Sequence, residues 1–217
     1  MRTIKPATAS NYLNIPDEKL QFDHTIGGAH QIITDYIRPE STVLDVGCSS
    51  GYLAKELLKK KVITDGIDID RNFLRTAKKY CRFVYRRDLY SGRLDIPRKR
   101  YDFIICADIL EHLPRPDLIL ARLRSYVKKR GELIISIPNI GRIEHRISQL
   151  FGSFEYSYGI MSHDHLRFYT KKSAEYMIRH SGYHIQRYLP TGFAQRIPIR
   201  TFDTLLAFQF IFICQTA

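Results

Sequence analysis

Four cysteines, at positions 48, 81, 106 and 214, are too scattered to form a C-x-x-C pair, which removes the usual zinc-ribbon and dithiol signatures. With no secretory leader expected ahead of them, they read as reduced thiols of a cytoplasmic protein. Long apolar runs are missing too. The final one, Leu205 to Cys214, is far shorter than a membrane span and alternates like a strand, so no span is predicted. No internal repeat, low-complexity tract or second domain is found. The glycine-rich stretch near residue 50 lacks the lysine that a phosphate-binding P-loop needs, and it lacks the G-x-G-x-x-G spacing of a dinucleotide turn. Those two nucleotide classes are set aside.

What is present suits one globular domain with a proper core: 217 residues, 44% of them hydrophobic and 26% charged. The formal net charge of +12 raises nucleic acid or an acidic substrate as partners. The placement of the charge argues otherwise. Lys59-Lys60-Lys61, Lys78-Lys79 and Lys128-Lys129-Arg130 are expected at helix ends, where they complement the helix dipole. In an alternating β/α sheet those ends lie opposite the strand carboxyl ends that bind ligands. A solvated basic face is the expectation.

Residues 1–18 are polar and irregular, and a helix is predicted from about Lys19 to Ile37, ended by Arg38-Pro39. A β-branched run, Ser41-Thr42-Val43, then leads into Leu44-Asp45-Val46-Gly47-Cys48-Ser49-Ser50-Gly51. A helix follows at Tyr52–Leu58, with apolar spacing at Leu53, Leu57 and Leu58. Strand, glycine turn and helix start bring a ligand against backbone N–H groups, and Gly47 and Gly51 would let it approach closely. The second predicted strand, Val62 to Asp70, ends in acids. Asp68 lies 17 residues after Gly51, near where a β/α unit places an acid for ribose hydroxyls, while Asp70 reads as a helix N-cap. A helix over Arg71–Tyr80 leads to a third strand over Arg82–Arg86. A continuous apolar strand over Tyr101–Cys106 and a helix over Asp117–Lys129 follow; Gly131 then breaks the chain before a fifth strand over Glu132–Ile137. The alternation predicts an α/β, doubly wound parallel sheet.

The ordered set Asp45, Gly47, Gly51, Asp68 and Asp88 resembles the class I S-adenosylmethionine-dependent methyltransferases. That resemblance implies a Rossmann-like, seven-stranded, mostly parallel sheet with an antiparallel last strand, its final strands at 183–190 and 204–215. It implies S-adenosyl-L-methionine as cofactor, with Asp45, Gly47, Cys48 and Gly51 around the methionine end. Asp68 and Ile69 would take the ribose and Asp88 and Leu89 the adenine, while Ala107 and Asp108 face cofactor and substrate. A single methyltransferase domain results: an N-terminal lid helix (1–40), the cofactor-binding core (41–137), a substrate lid insertion (138–169), and a C-terminal helix and strands (170–217). Tyr12, Phe22, His24 and His30 could cover the cofactor from the first of these.

The insertion, rich in aromatics and histidine, is placed to form a substrate pocket. Thr170 is expected to cap a helix over Lys171–His180, with Gly182 just past its end. A hydroxyl acceptor gains from a general base, so His112, His163 and His165 are the catalytic candidates, with Asp164 or Glu111 as orienting groups. Asp108-x-x-Glu111-His112 also resembles the E-x-x-E-H metal motif of ubiquinone-biosynthesis O-methyltransferases and of small-RNA 3′-end 2′-O-methyltransferases, with Asp108 shorter than the usual glutamate. No metal ligand is assigned from the sequence. The reading favoured is methyl transfer to an oxygen or nitrogen of a small molecule (metabolite, sugar or lipid). RNA 2′-O-methylation with a metal-assisted site comes second. A non-catalytic, cofactor-binding regulatory subunit would also keep Gly47, Gly51 and Asp68.

Overall fold

The structure is a computed structural model and describes residues 28–91, 94–98, 100–153, 160, 162–192, 194 and 202–217. Its centre is a seven-stranded sheet in the order β3-β2-β1-β4-β5-β7-β6. Strands β1 (Thr42–Val46), β2 (Ile63–Asp68), β3 (Phe83–Arg86), β4 (Tyr101–Ala107) and β5 (Val127–Pro138) run parallel; β7 (Gln209–Thr216) inserts antiparallel between β5 and β6 (Tyr183–Pro190). The order reverses between β1 and β4, so their carboxyl ends diverge and open a crevice there.

Period-two alternation sends successive side chains to opposite faces, and each face has its own core. On one, Leu44, Val46, Ile104, Leu133 and Ile135 pack with Ile119, Leu120 and Leu123 of α4 (Pro116–Leu123) and Ala174 and Ile178 of α6 (Lys171–His180). On the other, Val43, Phe103, Ile105 and Ile134 pack with Ile33 of α1 (Ala29–Tyr36) and Leu53 and Leu57 of α2 (Tyr52–Leu58). Leu58, the third residue of the predicted apolar stripe, is 52% exposed instead. Burial on both faces explains the continuous apolar run Phe103–Ala107 of β4 and the mostly apolar β1, which Asp45 interrupts.

Three boundaries differ from expectation. The N-terminal helix starts at Ala29, after an extended Gly28, and its predicted first part (19–27) lies outside the described residues, as do Tyr12, Phe22 and His24. The helix expected to reach Lys129 stops at Leu123; a 3-10 turn follows, and β5 already begins at Val127, which pairs with Tyr101. Lys128-Lys129-Arg130 therefore opens a strand rather than closing a helix, though it stays at the sheet edge opposite the crevice. The last strand starts at Gln209, because 203–206 form a short helix, α7. Buried Asn139, just past β5, donates its side-chain amide to the carbonyls of Thr204 and Ala207, satisfying acceptors at that helix end.

The capping of α6 is as expected: the Thr170 side chain accepts from Ser173 N, and Gly182 at φ 84° follows the helix. In the insertion, α5 (Ile143–Leu150) has no buried residue, and residues 154–159 of the aromatic loop lie outside the described residues. Among the described residues, no helix is long and apolar enough to cross a membrane.

Candidate active site

A cleft of about 200 Å³ lies at the carboxyl ends of β1 to β4, and every one of those ends contributes to its wall. Gly47 and Ser49 come from the turn after β1, and Asp68, Ile69 and Asp70 from the end of β2. Arg87, Asp88, Leu89 and Tyr90 follow β3, and residues 107–109 with His112 and Leu113 follow β4. Asp164 is the insertion's contribution.

The turn after β1 needs left-handed backbone at Gly47 (φ 82°) and Gly51 (φ 81°), which glycine adopts without steric cost. The two are not equivalent. Gly47 lines the cleft, and a Cβ there would press on the Ile109 side chain at 2.8 Å. A Cβ on Gly51 would stand 2.9 Å from the Cα of Ala77, the last residue of α3 (Arg71–Ala77). Gly51 thus lets α3 pack against the start of α2 and stays off the cleft wall. Cys48 is also off the wall: its buried thiol packs on Gly66 in a small cluster with Leu74, Ala77 and Cys81. Asp45 lies beneath the wall, buried, with its Oδ2 unpartnered among the described residues. Burial, then the nearby Asp68 carboxylate, pushes its carboxyl up to about 7.

Asp68 joins the second strand to the glycine turn. Its Oδ2 accepts from Ser49 N at 2.8 Å and its Oδ1 from Asp70 N at 2.9 Å, leaving further lone pairs on the cleft side of a carboxylate. Asp70 caps α3 as expected, accepting from the amides of Asn72 and Phe73. Asp88 spends Oδ1 on the amide of Tyr90, and the side chain of its neighbour Leu89 is buried in the core.

At the end of β4, Asp108 holds a left-handed backbone at φ 49°, a strained conformation for a non-glycine residue. Its Oδ1 accepts from Ser136 Oγ at 2.7 Å and from Gln209 Nε2 at 2.8 Å, and its Oδ2 lies 4.0 Å from His30 Nε2. Strands β5 and β7 and helix α1 thereby fix one carboxylate at the cleft. The next residues make a 3-10 turn, Leu110–His112. Glu111 accepts the amides of Leu166 and Arg167 with its backbone carbonyl, which docks the insertion onto this turn. Its carboxylate is buried and pushed well up by burial, then by Asp108.

The catalytic candidates separate. His112 lines the cleft, with Nδ1 3.0 Å from the backbone carbonyl of Asp164. The orienting group is thus a main-chain oxygen of Asp164, not its carboxylate. His165 is off the wall but packs edge-on to His112, ring centroids 4.7 Å apart, with its Nδ1 2.8 Å from the carbonyl of Ile160. His163 is exposed and lies outside the cleft lining. Burial, and then His165, hold the imidazole of His112 below its ordinary range. The sequence reading passed over Tyr52, Phe73, Arg87, Tyr90 and Ile109 on the wall. Tyr52 and Phe73 sit in the first turns of the helices after β1 and β2, the positions that face such a crevice, and so could have been found by counting from the strand ends.

A family described as "Methyltransferase domain" matches residues 22–188. The ubiquinone biosynthesis O-methyltransferase of Coxiella burnetii is 31% identical over 101 residues, covering 45% of this chain and 43% of that enzyme. The alignment thus spans less than half the length of that curated relative. An S-adenosylmethionine-dependent methyltransferase structure from Clostridium acetobutylicum superposes with a TM-score of 0.65 at 14% identity, covering 96% of this chain and 98% of that one. The magnesium protoporphyrin IX methyltransferase of Synechocystis, solved with S-adenosylhomocysteine, gives 0.61 at 19%, covering 86% and 79%. Both are likenesses of fold.

Proposed function

This chain belongs to the methyltransferase-domain family, the S-adenosylmethionine-dependent methyltransferases, and from that premise we propose that it moves a methyl group to an oxygen or nitrogen of a small-molecule acceptor. The observation that carries the reading is the composition of the cleft. One end offers the Asp68 carboxylate with apolar and aromatic walls from Ile69, Phe73, Leu89 and Tyr90; the other offers Asp108 and His112. The first set fits a nucleoside, whose diol takes two hydrogen bonds from a carboxylate. Gly47, Ala107 and Asp108 would hold the methionine end. The bound cofactor would supply a methyl group on a sulfonium, ready for in-line displacement.

The residues of this chain then position and deprotonate. Carbonyl oxygen can only accept, so the contact with Asp164 places hydrogen on Nδ1 of His112 and leaves a lone pair on Nε2. Such an imidazole can take the proton of an acceptor hydroxyl as it is methylated. Leu113, Ile109 and the docked insertion narrow the cleft, which favours exclusion of water and a fixed approach.

A small acceptor is favoured over nucleic acid by charge placement. Lys59–Lys61 and Lys78–Lys79 follow α2 and α3, and Lys128–Arg130 open β5, all at the sheet edge away from the cleft. Relatives named for ubiquinone biosynthesis add support for an oxygen acceptor. We read the protein as a single domain working in the cytoplasm with its four cysteines as free, buried thiols. The test is transfer of labelled methyl from S-adenosylmethionine to a panel of small phenols, hydroxy acids and amines, beside an RNA oligonucleotide. Label in a small product supports the proposal; label confined to RNA overturns it.

A further inference from the structure

The sheet edge opposite the cleft has a character of its own. The register that sets Thr42 beside Ile63, Val43 beside Phe103 and Tyr101 beside Val127 also lines up the amino ends of the parallel strands. Each of those five ends carries an exposed cation: Arg38 before β1, Lys61 before β2, Lys79 before β3, Arg100 before β4 and Lys129 near the start of β5. Neighbouring strands stand about 4.8 Å apart, so the row runs for roughly 20 Å. Most acids beside it are engaged. Glu56 pairs with Lys59, Asp102 with Lys128 and buried Asp65 with Arg82, which leaves Asp35 and Glu40. Among the described residues, Lys61, Lys78, Lys79, Lys129 and Arg130 make no ion pair.

Helix dipoles account for Lys78 and Lys79, which follow α3, and not for the rest of the row. Lys61 holds a left-handed backbone at φ 58°, in the position after a helix where glycine is favoured; a lysine there is kept at a conformational cost. Lys129 and Arg130 lie where residues 128–131 of β5 stand opposite Asp102 alone, a bulge of the kind that re-aims side chains outward. At the same edge Phe83 is 49% exposed, with the Arg82 guanidinium 5.4 Å from its ring centre.

We propose that this amino-end edge binds the phosphate backbone of single-stranded nucleic acid, apart from the methyl-transfer cleft. A single file of unpaired cations matches a linear polyanion, and an exposed ring beside arginine and lysine gives a base a face to stack on. Leu58 and Ile63 are also exposed at this edge, which makes an anionic membrane the competing partner; the narrow row of charge favours the strand. The length of β4, Tyr101–Ala107, separates the row from Asp108 and His112 by about 20 Å. A strand held here is therefore a tether and not the methyl acceptor.

The experiment follows the fluorescence anisotropy of a labelled, mixed-sequence RNA of about 16 nucleotides titrated with the full chain. Five phosphate contacts predict a log–log salt slope of about −3.5, hence roughly a hundredfold loss of affinity between about 50 and 200 mM salt. Lys61→Glu with Lys129→Glu should weaken binding by about tenfold or more at the lower salt. Arg71→Glu with Lys172→Glu, an equal change of net charge at exposed positions by the other edge, should stay within about threefold. Lys61→Gly with Lys129→Ser removes the same two charges, with glycine in the left-handed position that favours it, and should still weaken binding if the charge-reversed protein is unstable. No RNA binding at the lower salt overturns the proposal, as does equal loss in the two charge-reversed variants. Binding to phosphatidylglycerol vesicles with none to RNA gives the edge to a membrane instead. Displacement of the RNA by S-adenosylhomocysteine would place it in the cleft and overturn the edge as its site.

Discussion

Asp68 holds the glycine turn after β1 from the neighbouring strand, its Oδ2 accepting from Ser49 N at 2.8 Å. One carboxylate thus both shapes the glycine turn after β1 and faces the cleft. Asp68→Ala should weaken S-adenosylhomocysteine binding by about 1–3 kcal/mol, from lost hydrogen bonds to ligand and to the turn. Calorimetry checks this, and an unchanged dissociation constant would remove Asp68 from the ribose role.

Gly51 contributes to packing. Alanine there must adopt φ near 81° and press on the Ala77 backbone at 2.9 Å, so Gly51→Ala should cost at least about 2 kcal/mol of stability from left-handed strain and the clash. Denaturant unfolding should show it plainly. Gly47→Arg carries the same left-handed strain and presses on the Ile109 side chain, so it too should lose stability. It also fills the cleft and should abolish cofactor binding under conditions where circular dichroism shows the variant folded; normal affinity there would contradict the placement of the ligand.

Asp45 makes stability depend on pH. Its folded carboxyl titrates at about 7 against an ordinary value of 3.8, so the native state keeps a proton that the unfolded chain releases. That contribution is fully present below about pH 4 and is lost as pH rises through 7. Asp45→Asn should therefore melt higher than the parent at pH 8, by on the order of a few kcal/mol, and match it near pH 4. Equal differences at both pH values would show that Asp45 is ionised throughout.

The strands and the turn were legible because burial leaves its mark in sequence: β4 runs apolar from Phe103 to Ala107, β1 is mostly apolar around Asp45, and Asp70 stands where an N-cap must. What was not legible depends on partners far away in the chain. The role of Gly51 is set by Ala77, and the direction of Cys48 by Gly66. Lys128-Lys129-Arg130 has good helix propensity, yet Val127 is drawn into the sheet by pairing with Tyr101. His112 and His165 meet only because the insertion folds back on the turn at Glu111, which no spacing within either segment reveals.

Of the three candidate histidines, His112 lines the cleft. His112→Ala should lower kcat by about 10²–10⁴-fold for a hydroxyl acceptor. Because burial and His165 hold its pKa below 6.5, kcat/KM for the parent should level off by neutral pH, with its acid limb below pH 6.5. An acid limb centred well above 7 would assign the proton to another group.

The most direct test of the account is calorimetric titration of S-adenosylhomocysteine into the folded, ligand-free protein. The account predicts saturable binding of one molecule per chain with micromolar affinity, weakened in Asp68→Ala and absent in Gly47→Arg. No binding at millimolar ligand by the intact protein, or equal binding by all three proteins, would contradict it.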